Sequence, residues 1–160
     1  MGRIYTGLRT IIQLKKNWIP IINQMIYAYA TTKNSSGWKE IAAHHPKIEL
    51  FSRQKKSNMI PWGQLRYMPK SWYETSNYSR NTIDLQSGLW CFQCSLQNNH
   101  QTIELFFKFV LPVISKDILY LELLEEKSLH SELYKMKNGK IVQTQIGTYL
   151  YDPEYHDEYQ

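Results

Sequence analysis

Apolar residues recur every three to four positions in the first third of the chain and every second position from Gly88 onward. Ile19, Ile22, Met25, Ile26 and Tyr29 share one helical face, which predicts a helix over about Asn17–Ala30. Pro20 suits its first turn, where amide protons lack intrahelical acceptors anyway. Thr31–Gly37 is polar and reads as a loop. A second, short helix is predicted to start near Ser36 or Gly37 and to end before Pro46, with Trp38, Ile41, Ala42 and His45 aligned. Ile48, Leu50 and Phe51 continue an apolar face beyond that proline.

The alternation after Gly88 predicts strands. Trp90, Phe92, Cys94 and Leu96 form one face, and Ile103, Leu105, Phe107 and Phe109 form another. With Gln97-Asn98-Asn99-His100 as the connection, Gly88–Leu96 and Gln101–Phe109 are expected to pair as an antiparallel hairpin. Ile118–Leu129 reads two ways: as a Leu- and Glu-rich helix capped from Ser115-Lys116-Asp117, or as a strand over Ile118–Leu124. Asn138-Gly139 separates Leu133–Lys137 from Lys140–Ile146, and this dipeptide adopts the positive dihedrals of a two-residue hairpin turn. The pattern as a whole predicts one α+β domain over residues 1–151. Its N-terminal helices pack on an antiparallel sheet built from C-terminal hairpins, and an acidic, flexible tail follows at 152–160.

Between the two regimes lies a segment crowded with aromatic and basic residues, Arg53-Gln-Lys-Lys56 and then Ile60–Tyr73. Pro61 and Pro69 stand eight residues apart and rule out one continuous helix. Composition adds twelve Tyr, five Trp and an aromatic share of 14%, too rich in ring surface for a chain that stays unfolded. Charge is divided unevenly. The first eighty residues carry thirteen Lys and Arg against three Asp and Glu, and the last eighty carry six against eleven, so the formal +5 splits into +10 and −5. Such asymmetry serves either an anionic partner or two halves that neutralise each other on folding.

Several chemistries are disfavoured. No glycine-rich phosphate loop, nucleophile elbow or helical metal-ligand pair occurs. Cys91 and Cys94 are the two cysteines. In a strand, residues three apart face opposite sides, so core positions suit them better than a shared zinc ion or a redox pair. His44 and His45 are adjacent on a helix and cannot share one face. Asp117, Glu125 and Lys127 resemble the acid and Glu-x-Lys of metal-dependent nucleases, yet they equally form the exposed charged side of one element. The expectation is therefore no catalytic residue, no metal and no cofactor. Apolar runs fall short of a spanning helix. Lys15-Lys16 ahead of Trp18–Ile26 imitates a signal peptide, but Asn23 and Gln24 interrupt its core, and cytoplasmic residence is expected.

Lys and Arg attract phosphate and exposed rings stack on unpaired bases, which makes Arg53, Lys55, Lys56, Trp62, Arg66, Lys70, Tyr73 and Arg80 the candidate contact residues for DNA, RNA or a protein partner. The alternative for the rings, and for Trp72 in particular, is burial as core anchors. Arg66-Tyr-Met-Pro-Lys-Ser-Trp72, Ser87-Gly-Leu-Trp-Cys-Phe-Gln93 and the Ile103–Phe109 segment together resemble the C-terminal region of bacterial and phage proteins of the PD-(D/E)XK nuclease superfamily. The resemblance covers about residues 17–130. It implies an accessory role in DNA processing or defence, and it carries over no catalytic residue, because the catalytic carboxylates of those proteins lie in an N-terminal domain for which this chain has no room. A second class fits the same facts: an immunity protein that neutralises one bacterial toxin by direct binding, steered by charge.

Overall fold

A computed structural model of the protein describes residues 5–32, 37–53, 60–61, 72, 81–97, 101–126 and 128–149. A six-stranded antiparallel sheet forms its frame, with β1 (Tyr5–Leu14), β2 (Thr82–Ile83), β3 (Leu89–Gln97), β4 (Ser115–Glu125), β5 (His130–Lys137) and β6 (Lys140–Tyr149) in the order β2-β3-β1-β4-β5-β6. The fold is α+β as expected, but the sheet is not built from C-terminal hairpins alone. The N-terminal strand β1 sits at its centre, paired along one side with β3 and along the other with β4. Leu8, Ile12 and Leu14 of β1 point into the core and are buried.

Helices cover that core face. A 3-10 turn at Lys16–Trp18 leads into α1 (Ile19–Thr32), followed by α2 (Trp38–Ala42), a 3-10 turn at Pro46–Ile48 and α3 (Glu49–Ser52). The three-four spacing places Ile22 and Met25 of α1, Trp38 and Ile41 of α2, and then Ile48 and Phe51 in the core. Leu50, expected on the same face, is exposed.

The predicted second strand of the first hairpin is a helix. α4 comprises α-helical Thr102–Leu105, a π-helical turn at Phe106–Val110 and α-helical Leu111–Ile114. β1 runs along one edge of β3 and β2 pairs with Trp90 and Cys91 on the other, while Gln101–Phe109 turns away into the helical layer. The apolar residues of this segment also carry a helical spacing, and Ile103, Phe106, Val110, Leu111 and Ile114 are the ones buried. The wide turn directly precedes Pro112, which has no amide proton to return to the residue 108 carbonyl and whose ring crowds it.

Trp38 joins the layers. Its ring lies 5.3 Å from Phe51, 6.4 Å from Trp90 and 6.2 Å from Phe106, and its indole N–H donates to the Ile60 carbonyl at 2.6 Å. Of the two readings for Ile118–Leu129 the strand is correct, and Ile118 and Leu121 are buried in β4. The Asn138-Gly139 turn joins β5 to β6 with φ of 52° and 73°, as its dipeptide predicts.

Candidate functional site

The sequence-predicted contact residues lie mostly outside the described part of the chain. That holds for Lys55, Lys56, Trp62, Arg66, Lys70, Tyr73 and Arg80. Arg53 is described: it is exposed just past α3 and its guanidinium donates to Glu49, one turn earlier, at 2.7 Å. Trp72 is buried, though against Arg9 and Gln93 rather than in the hydrophobic core, and Trp18, Trp38 and Trp90 are buried in that core. None of these four rings offers a stacking surface to a base.

The strand geometry also separates the acids that superficially resembled a metal site. Asp117 and Glu125 stand eight residues apart on β4, roughly 26 Å along a strand, and Lys127 lies outside the described residues. No group of three or more metal-binding side chains forms among the described residues. Cys94 faces the core while Cys91 is half-buried on the other side of β3, where burial pushes its thiol pKa up. Opposed in this way, the two thiols cannot chelate one ion.

The sequence reading missed a polar cluster on the outer face of the sheet. β1 sets Arg9 opposite Gln93 on β3 and opposite Glu122 on β4. Glu122 is 1% exposed and accepts three hydrogen bonds: from Arg9 Nε at 2.6 Å, from the Tyr120 hydroxyl at 2.6 Å, and from the Ser131 hydroxyl at 2.5 Å. The Arg9 guanidinium lies 4.5 Å from the centre of the Trp72 ring and 5.7 Å from that of Tyr120, while Gln93 Nε2 donates to the Trp72 carbonyl. Burial, and then the bond and charge of Glu122, push the Tyr120 hydroxyl up to about 12. Gly147 of β6 completes the enclosure, since a Cβ there would run into the Ser131 hydroxyl. The cluster fastens β1, β4 and β5 together. Its signal in the sequence was an acid, Glu122, inside the apolar run Leu121–Leu124, and a cation, Arg9, between Leu8 and Ile12.

The remaining feature is the β5–β6 hairpin. β5 pairs with β4 across Glu122↔Leu133 and Leu123↔Glu132. A gap of about 280 Å³, lined by Leu119, Tyr120, Leu121, Tyr134 and Lys135, opens between them. The hairpin forms the edge of the six-stranded sheet as an arm held to β4 by these two pairs. Lys135, Lys137 and Lys140 are exposed near its tip. Among the described residues the two ion pairs are those of Arg9 and Arg53, so the arm lysines have no carboxylate partner there. On its helix side the arm faces α4 across a larger cleft of about 770 Å³, which Lys47, Lys108 and Lys140 border. The Phe107 and Tyr134 rings meet edge to face at 5.0 Å in its wall.

Comparison with protein-family models, with curated proteins and with solved structures finds no match to this chain. No helix among the described residues is long and apolar enough to cross a membrane.

Proposed function

We propose that this chain is a non-catalytic binding module that associates with nucleic acid, as a cytoplasmic accessory protein of a bacterial or phage DNA-processing or defence system. The observation that carries the reading is the arm: a two-stranded ribbon with exposed Lys135, Lys137 and Lys140 at its end and Lys108 and Lys47 close by. A two-stranded ribbon fits the major groove of duplex DNA, and unpaired lysines supply the phosphate contacts that position it. The basic segment from Arg53 to Arg80 extends the same charge in sequence. The resemblance to the C-terminal region of PD-(D/E)XK proteins supplies the setting; it rests on the Arg66–Trp72 and Ser87–Gln93 segments, because Ile103–Phe109 is helical.

The test is the salt dependence of binding to a short DNA duplex and to the corresponding single strand. Replacing Lys135, Lys137 and Lys140 with Gln is expected to flatten the logarithmic salt slope by up to about three units, one for each lost phosphate contact. A second triple variant, at Lys55, Lys56 and Lys70, measures the contribution of the basic segment. Replacing Trp62 or Tyr73 weakens single-strand binding by about 1–3 kcal/mol per stacked base if those rings bind bases. Weak, salt-insensitive binding by folded protein ends the nucleic-acid reading. The protein-partner reading, an immunity protein or a nuclease subunit, then takes its place. Its own support is β6, an edge strand on which Ile146 is 64% exposed.

A further inference from the structure

The cleft between α4 and the arm differs in character from the lysines at its border. Phe109, Pro112 and Val113 of α4 line one side and Ile141 of the arm the other, and the Phe107 and Tyr134 rings, in contact at 5.0 Å, join the two sides. Its volume of about 770 Å³ lies within the 300–1,000 Å³ common for small-molecule sites, and its lining is chiefly apolar. A phosphodiester chain has no use for such a surface. Lys47, Lys108 and Lys140 stand at the border against one acid, Glu104, which leaves the cleft with a net positive charge. The Tyr134 hydroxyl donates to Glu132 at 3.2 Å, which sets a second carboxylate behind this wall and leaves three lysines against two acids.

We infer that this cleft is a binding site for a monoanionic amphiphile, an apolar chain or ring system bearing one carboxylate, with the apolar part between α4 and the arm and the carboxylate among Lys47, Lys108 and Lys140. Charge complementarity selects the head group, and the aromatic and aliphatic walls select the tail. The inference stands independently of the nucleic-acid reading, since it concerns the inner side of the arm and a different ligand.

Sodium dodecanoate and dodecanol, titrated calorimetrically below their aggregation limits, test it. One dodecanoate is expected to bind saturably per chain, and dodecanol several-fold more weakly. Replacing Lys108 and Lys140 with Ala is expected to lower dodecanoate affinity about fivefold, the scale of two partly solvated ion pairs, and to leave dodecanol unaffected. Val113→Trp fills the cleft from the helix side and Ile141→Trp from the arm side. Each is expected to abolish binding of both probes, with melting temperature recorded so that a variant that unfolds is set aside in favour of the other. The inference is overturned by the absence of saturable binding, by equal affinity for the two probes, or by binding that persists in a folded cleft-filling variant. If both cleft-filling variants unfold, the lysine variant and the dodecanol comparison decide alone.

Discussion

β1 is paired along nearly its whole length on both sides, from Tyr5 to Gln13 with β3 and from Thr6 to Leu14 with β4, whereas β5 meets β4 through two residue pairs. Around β1, both faces are tied down. Leu8 and Ile12 enter a core of interlocked rings on one side, and Arg9 is held by Glu122 and covered by Trp72 on the other. The β5–β6 arm has Tyr134 and Ile141 partly buried toward α4 and its lysines in solvent. The contrast separates residues that specify the fold from residues left available to a partner. Because two residue pairs tie it to β4, the arm is expected to exchange its amide hydrogens by local opening while β1 exchanges near the global limit.

The comparison can be broken most directly at the core. Trp38→Ala removes the ring that touches Phe51, Trp90 and Phe106 and leaves a cavity, with an expected loss of about 3–5 kcal/mol in chemical denaturation. Glu122→Ala is expected to cost about 3 kcal/mol, because Arg9 then remains largely buried without its carboxylate. The double replacement of Arg9 with Met and Glu122 with Leu should recover much of that loss. A double loss equal to the sum of the losses of Arg9→Met and Glu122→Leu measured singly would show that the pair is not coupled.

Alkaline pH sharpens the contrast further. The hydroxyls of Tyr120 and Tyr134 are both pushed up to about 12 from the usual 10. Between these values the unfolded chain has already lost the protons that the folded chain keeps. Their stabilisation is therefore complete below pH 10 and declines as pH rises through 12. Urea denaturation across this window should show Tyr120→Phe flattening the decline in global stability. Tyr134→Phe should flatten it less, since the arm opens locally. The smallest effect is expected at the tip of the arm: replacing Lys135, Lys137 and Lys140 with Gln should change stability by no more than about 0.5 kcal/mol. A larger loss would make these lysines part of the fold and weaken the case for a free basic surface.

Elements whose pattern is fixed by near neighbours were legible in the sequence. The amphipathic face of α1, the short helix from Trp38, the β3 alternation and the Asn138-Gly139 turn follow from periodicity and local backbone preference, which need no partner to be recognised. The segment after Gln101 was not legible, because its rings satisfy both periods. Ile103, Leu105, Phe107 and Phe109 alternate as a strand would, while Ile103, Phe106, Val110 and Ile114 repeat as a helix does. Local preference cannot choose between them. The packing of Phe106 against Trp38 and Phe51 does.

The candidate site divides in the same way. The sequence determined that basic and aromatic residues are abundant, that the charge is uneven, and that the charged residues follow no recognisable catalytic spacing. Tertiary structure decided which charges are neutralised. It buried Arg9 against Glu122, 113 residues away, and left the lysines of the arm unpaired among the described residues. It also drew Lys47 of the basic half together with Lys108 and Lys140 of the acidic half around one cleft. Charge along a chain is a local property, but desolvation and pairing depend on what long-range strand pairing brings alongside, and no window of sequence contains both partners.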